Sequence, residues 1–138
     1  MRDINILAVA LAVQFGSAQR LADELRLVVR RDDLGHEVRG LYLPPRGRRR
    51  RALLLLAPDV TAEERRLLLT RALGHHFLRH RALPWYGYDV AGARFTDSRA
   101  ADEAALFARE FEAAALPQQA GATRHGATSP SALTAPRA

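Results

Sequence analysis

Three of the five histidines of this 138-residue chain lie within six residues, at His75, His76 and His80. Imidazole is a common zinc ligand, and two histidines four residues apart project from adjacent turns of one helical face. His76 and His80 have this spacing, and Arg71 precedes His75 by the same four residues. The segment predicts a helix that carries a complete or an incomplete set of metal ligands.

The frame ending at His75 resembles the HExxH motif of zinc peptidases, in which the glutamate polarises the attacking water. Arg71 stands at the first histidine position and Ala72 at the glutamate position, so only the second histidine remains. Since alanine cannot accept a proton, water would stay inactive even beside a bound zinc ion. The pattern therefore predicts no catalytic residue, with Arg71 and Ala72 as degenerate positions.

The surrounding sequence resembles the ImmA/IrrE family of metallopeptidases over residues 17–117. The resemblance is carried by an ordered set of motifs: Arg39–Leu43, Glu63–Arg66, Leu73–His76, Glu103–Ala108 and Leu116–Pro117. It implies a zincin-like fold in which Glu103 takes the place of the third zinc ligand. It also implies a cytoplasmic regulator that acts on helix-turn-helix repressors during stress or mobile-element induction.

Because the catalytic set is incomplete, we expect a pseudopeptidase that binds a protein partner, such as a transcriptional repressor, without cleaving it. No cofactor is expected. Two alternatives stay open: an active zinc metallopeptidase with displaced ligands, and an arginine-rich nucleic-acid-binding module. Zinc would be the cofactor of the first alternative.

Glu103 falls in line with two phenylalanines on the last predicted helix, where an unpaired buried carboxylate is costly. We hypothesise that the guanidinium of Arg71 replaces the metal and forms a charge-assisted pair with Glu103, leaving His75 as a neutral neighbour. The alternative is that Glu103 pairs with Arg99 or Arg109 along its own helix.

A relocated zinc site is a further hypothesis. Its candidate ligands are His76, His80, Asp89, Asp97 and Asp102. On a continuous helix the two histidines lie about 100° away from the face that Glu103 would approach. We therefore expect no metal at this place, and histidines at a helix end commonly face solvent or the helix dipole.

The segment Pro84–Tyr88 contains the only tryptophan, Trp85, together with Tyr86 and Tyr88. Aromatic side chains on a loop can anchor a peptide partner. The competing interpretation is that they cover the open end of a small core, and we favour it.

Charge and composition limit the classes of protein. The chain has 21 basic residues, all arginine, against 15 acids, for a net charge of +6. The run Arg46, Arg48, Arg49, Arg50 and Arg51 could bind phosphates, but a solvated hairpin tip is the favoured interpretation, and nucleic acid is not the expected partner. The absence of cysteine excludes a disulfide scaffold, and no window approaches the 18 or so apolar residues of a membrane helix.

The predicted elements define an α+β domain over residues 1–116. Residues 4–27 read as a helix broken near Gly16, and although their start imitates a secretory leader, we expect a packed first helix. Three short strands at 27–31, 38–43 and 52–57 predict a small antiparallel sheet. A capping box at Thr61–Glu64 begins a helix to about His80, and Thr96–Ser98 cap a helix to about Ala115. Residues 117–138 predict a disordered tail.

Overall fold

The computed structural model describes residues 2–89 and 98–127. Within these ranges the chain forms an α+β domain, as predicted. Its elements are α1 (Arg2–Phe15), α2 (Ala18–Leu25), β1 (Val28–Arg31), β2 (Val38–Leu43), β3 (Leu53–Leu56), α3 (Ala62–Phe77), β4 (Tyr86–Asp89) and α4 (Ser98–Ala127).

The predicted break in the N-terminal helical region is confirmed at Gly16. Gly16 has a φ of 83°, which an L side chain rarely adopts. Ser17 then caps α2 by accepting a backbone N–H at 3.2 Å, and the two helices meet at 90°. Helix α1 packs against α4, and its buried face carries Ile4, Ala8 and Ala12. No single helix within the described ranges has the length and apolar character needed to cross a membrane.

The sheet has four strands in the order β1-β3-β2-β4, one more than predicted. Strand β1 pairs with β3 in parallel, whereas β2 pairs antiparallel with both β3 and β4. The prediction of an entirely antiparallel sheet was therefore wrong. The chain reverses direction once between β1 and β2 and again at the β2–β3 hairpin, so β1 and β3 run the same way and meet edge to edge.

The fourth strand, β4, comes from the aromatic segment that was predicted as a loop. Tyr42 of β2 lies opposite Tyr86 of β4, and Gly40 lies opposite Tyr88. Because side chains alternate along a strand, Tyr86 and Tyr88 share one face, and both are buried in the core. Because aromatic residues favour strands, the composition of this segment could have indicated a strand.

The capping box that begins α3 is confirmed. The Thr61 hydroxyl accepts the Glu64 N–H at 3.1 Å, and the Glu64 carboxylate accepts the Thr61 N–H at 3.2 Å. Arg39 of β2 forms a two-pronged pair with the same carboxylate and a third hydrogen bond with Asp59 at 2.8 Å. The hydrogen bond from Arg39 is the main reason that the pKa of Glu64 lies below its ordinary value. These contacts tie the start of α3 to the sheet.

Helix α4 is longer than predicted. It continues through Pro117 to Ala127. The alanines and glutamines of this segment favour helix even though it offers few apolar side chains to a core. The predicted caps Thr96 and Asp97 and the remaining tail, 128–138, lie outside the described residues.

Candidate functional site

Helix α3 ends earlier than its sequence pattern predicts, and this ending shapes the site. The helix stops at Phe77, and Arg79 adopts a left-handed conformation with a φ of 59°. The Arg79 N–H then bonds to the His76 carbonyl at 3.2 Å and the His80 N–H to the His75 carbonyl at 3.0 Å. This pair of bonds is the Schellman motif, which turns the chain sharply at a helix C-terminus. His80 is therefore folded back toward the helix instead of continuing along it.

Four side chains from three elements form a continuous series of hydrogen bonds, which we call the polar chain. The Nε2 atom of His75 bonds to the hydroxyl of Tyr88. The Nδ1 atom of His75 lies 2.9 Å from Nδ1 of His80, and Nε2 of His80 lies 2.7 Å from Oε1 of Glu103. The polar chain connects strand β4, the end of α3 and helix α4.

With Glu103 ionised and the ring of His80 neutral, one direction of donation satisfies every atom of the polar chain. A carboxylate can only accept, so His80 must donate from Nε2 and, as a neutral ring, accept at Nδ1. His75 then donates from Nδ1 and accepts at Nε2 from the Tyr88 hydroxyl. The guanidinium of Arg99 lies near the same carboxylate, with Nε 3.5 Å from Oε2. Each bond therefore points from the buried phenol toward the partly exposed Glu103.

The centre of the polar chain is almost completely shielded from water. His75 is 1% exposed and its ring stacks between those of Tyr42 and Tyr86, at centroid distances of 5.5 and 4.6 Å. Burial is the main cause that lowers the pKa of His75 from 6.5 to about 3, and the neighbouring His80 and Arg71 act in the same direction. His75 is consequently a neutral core residue at physiological pH.

Tyr88 also keeps its proton. Burial raises the pKa of its phenol above the ordinary value, although the charge of Arg71 opposes the shift. The Arg71 guanidinium carbon lies 5.5 Å from the centroid of the Tyr88 ring, which is cation–π distance. Arg71 thus covers the outer face of the ring whose hydroxyl donates to His75.

Close packing of α3 on α4 brings the histidines within reach of Glu103. A Cβ atom added to Gly74 would lie 3.1 Å from the backbone of Ala104 and 3.1 Å from Cβ of Phe107. Only a residue without a side chain allows the two helices this separation. Gly74 and Ala104 each directly adjoin a member of the polar chain, His75 and Glu103 respectively.

The hypothesised pair between Arg71 and Glu103 is not formed among the described residues. The carboxylate pairs instead with His80 and with Arg99, so the local alternative was right about Arg99. The other candidate, Arg109, lies 3.5 Å from Glu110. Glu103 therefore has two partners. Arg99 lies four residues before it on the same helix, and His80 reaches it because the turn at the end of α3 folds the chain back.

The prediction that His76 and His80 both lie away from the face that Glu103 approaches was wrong for His80. That prediction assumes a continuous helix, whereas His80 follows the left-handed turn at Arg79. His76 remains on the helix and diverges from the polar chain, with Nδ1 3.4 Å from the hydroxyl of Tyr42. Burial lowers the pKa of His76, with Arg81 and Arg79 contributing. The two histidines therefore do not face one another across a helical turn as a ligand pair.

The residues of the polar chain do not fit a zinc ion. A zinc peptidase site needs three protein ligands directed at one point, with a fourth position open to water. The ring nitrogens of His75 and His80 are all engaged, and Glu103 approaches His80 from the side opposite His75. Among residues 2–89 and 98–127, no three histidine or carboxylate side chains are arranged to hold a metal. Of the suggested carboxylates, the Asp97 position lies outside these ranges.

The aromatic segment divides between core and surface. Tyr86 and Tyr88 are buried and so cannot anchor a partner, whereas Trp85 is 39% exposed. The interpretation that these rings cover the core is therefore correct for both tyrosines. Sequence reasoning missed the role of Tyr88 as partner of His75; its signal was alternation, since Tyr86 and Tyr88 are two residues apart and share a strand face.

The arginine run lies where it was predicted, at the tip of the β2–β3 hairpin. Arg46 and Arg49 exchange two backbone hydrogen bonds of 3.0 Å around a tight turn at Gly47, whose φ is 59°. Arg48, Arg50 and Arg51 are exposed, whereas Arg49 is half-buried and donates to the Pro44 carbonyl at 2.6 Å.

Replacing Tyr88 by phenylalanine is expected to lower the free energy of unfolding by about 1–3 kcal/mol, because Nε2 of His75 would lose its donor in a buried setting. Chemical denaturation measures the change. Tyr86→Phe is the matched control: its hydroxyl accepts only a long bond, 3.3 Å, from the Leu83 N–H. An equal loss in the two variants would contradict a special role for Tyr88.

The polar chain is built for internal hydrogen bonding. It contains no exposed nucleophile, and the position that would supply a general base is the fully buried Ala72.

Comparison with protein-family models, with curated proteins and with solved structures finds no match for this chain.

Proposed function

We propose that this protein is a catalytically inactive, metallopeptidase-like domain that regulates by binding another protein. The observation that carries the proposal is the bridge between His75 and Glu103. These two residues occupy the remaining zinc-ligand positions of the ImmA/IrrE-like pattern, and the ring of His80 joins them by hydrogen bonds of 2.9 and 2.7 Å. The His80 side chain thereby connects the two positions that a metal ion connects in an active peptidase.

The environment of positions 71 and 72 supports the same conclusion. Ala72 is fully buried, so neither water nor a peptide reaches a general base there. Arg71 brings a permanent positive charge to the helix face that carries His75, and it lies against Tyr88. A divalent cation would meet repulsion from this guanidinium in addition to the missing ligand.

An apolar surface on α1 supports action through protein contact. Ile6, Ala10 and Val13 follow one another at helical spacing, and all three are exposed, Ile6 and Val13 by 62% and 61%. Exposed apolar residues at this spacing are typical of a face that another protein covers. A helix-turn-helix repressor is the partner class that the family resemblance suggests.

Restoration of the motif provides the sharpest test of the proposal. The purified chain, dialysed and then offered zinc, is expected to retain far less than one ion per chain and to leave a helix-turn-helix repressor uncut. The variant Arg71→His, Ala72→Glu, His80→Ala reinstates the missing groups and releases Glu103, so it is expected to bind zinc and to gain thermal stability on binding.

The control for this test is Arg71→Asn, Ala72→Glu, His80→Ala, which lacks the restored histidine. Stoichiometric zinc in the parent chain, with cleavage that chelators abolish, would establish the displaced-ligand peptidase instead. If the restored variant folds but binds no more zinc than its control, the metallopeptidase-like scaffold is the wrong assignment. If the double variant Ile6→Ser, Val13→Ser still binds a repressor as the parent chain does, the exposed face of α1 is not part of the contact.

A further inference from the structure

We propose that one end of the molecule, made by the β2–β3 hairpin tip and the loop between α3 and β4, is a binding surface for single-stranded nucleic acid. We call this surface the basic end. It uses no member of the polar chain, so it stands independently of the proposed function.

The first observation is the segregation of charge along the sequence. Residues 40–58 contain five arginines and no acid, and residues 78–88 contain two arginines and no acid. The acidic residues lie outside these two segments. Since the whole chain has a net charge of only +6, more positive charge is concentrated in these segments than the total suggests.

The second observation is that the sheet brings the two segments together. Strands β2 and β4 are antiparallel with Tyr42 opposite Tyr86, so the chain after β2 and the chain before β4 emerge at the same end. Tyr42 lies within the electrostatic influence of both Arg81 and Arg49, one from each segment. The charges of Arg79 and Arg81 likewise act on His76, whose ring contacts Tyr42.

The third observation concerns which side chains are free to meet a ligand. Six arginines of the basic end are exposed: Arg46, Arg48, Arg50, Arg51, Arg79 and Arg81. Arg49 instead fastens the hairpin by donating to the Pro44 carbonyl. The tight turn at Gly47 therefore holds the guanidinium groups on an ordered support.

The exposed indole of Trp85 distinguishes single-stranded nucleic acid from other anionic partners, such as a duplex or an acidic peptide. Trp85 directly precedes β4, at the same end as the arginines, and is 39% exposed. An aromatic platform beside a row of cations is the arrangement by which proteins bind single strands, with phosphates on the cations and an unstacked base on the ring. A duplex keeps its base faces stacked, and an acidic peptide has no base to stack. Single-stranded RNA or DNA fits both features.

Fluorescence anisotropy with labelled single-stranded RNA and DNA oligonucleotides over a range of salt concentrations tests the proposal. The variant Arg48→Ser, Arg50→Ser, Arg51→Ser is expected to bind about tenfold more weakly, and the slope of log affinity against log salt should become shallower by about 2, at roughly 0.7 per lost phosphate contact. The matched control removes three exposed arginines that lie elsewhere, Arg20→Ser, Arg30→Ser, Arg109→Ser, and should keep nearly all the affinity.

The stacking contribution is tested separately at Trp85. Trp85→Ala is expected to weaken binding about tenfold, whereas Trp85→Tyr, which keeps an aromatic face, should retain most of it. Circular dichroism verifies that the variants are folded. Failure of the wild-type chain to bind either oligonucleotide at low salt would overturn the proposal, and so would equal losses in the two triple variants. Equal affinity for duplex DNA or polyglutamate would assign the surface to nonspecific charge or to an acidic protein.

Discussion

Acidification from pH 7 to pH 4.5 is expected to lower the free energy of unfolding by about 3 kcal/mol, mainly through His75. The pKa of His75 is about 3 in the folded protein, whereas an unburied histidine, as in the unfolded chain, has a pKa of 6.5. Between these values the unfolded chain binds the proton and the folded protein does not, so stability falls as the pH falls through this window. About one pH unit above 6.5 both states are almost fully neutral at His75, and the dependence fades.

Urea denaturation at pH 7, 6, 5 and 4.5 measures this dependence. His75→Leu is expected to be less stable at pH 7, since it breaks the polar chain, yet to lose much less stability on acidification. His36 is an exposed histidine outside the core, and His36→Ala serves as the control that keeps the wild-type slope. A His75→Leu profile parallel to the wild-type profile would show that another group causes the acid sensitivity.

Truncation of Phe107 is expected to produce a loss of about 3–5 kcal/mol in the free energy of unfolding. Phe107 is fully buried and its ring lies between those of Phe77 and Phe111, at centroid distances of 6.2 and 6.0 Å. Phe107→Ala leaves a cavity at the interface of α3 and α4, beside Gly74, where the helix backbones already approach too closely to fill it. The variant should also loosen the contact between His80 and Glu103.

Chemical denaturation gives the stability change for Phe107→Ala, and nitrogen-15 NMR of the histidine rings reports on the polar chain. Phe107→Leu keeps most of the volume and is expected to cost about 1–1.5 kcal/mol. Leu116→Ala on the same helix is a control, because Leu116 is 54% exposed. A loss in Phe107→Ala no larger than that in Leu116→Ala would mean that this interface does not hold the two helices together.

Local signals in the sequence were sufficient for several elements. The bounds of β2 were predicted correctly at residues 38–43, and the capping box at Thr61 identified the start of α3 within one residue. The break at Gly16 and the arginine hairpin tip were also predicted correctly. In each case a few neighbouring residues decide the conformation through turn chemistry or helix capping, and no distant part of the chain needs to be known.

Other features depended on contacts between distant segments. The parallel pairing of β1 with β3 joins residues 25 positions apart, and β4 forms only because β2 offers it an edge. The early end of α3 is a different kind of failure: the residue at the left-handed position is Arg79, where glycine would have been the recognisable signal. The exposed Arg79 is held in that conformation by the two backbone hydrogen bonds of the Schellman motif.

The sequence by itself determined which groups are available for chemistry: Arg71, Ala72 and His75 in a frame that resembles a zinc-peptidase motif, and Glu103 on a second helix. Only the tertiary structure decided what those residues do. It joined His75 to Glu103 through His80, which helical spacing had placed elsewhere, and it set the Tyr88 hydroxyl against the other ring nitrogen of His75. The physical reason is that hydrogen-bond partners of buried groups are chosen by where helices end and how closely they pack, and spacing along one helix describes neither.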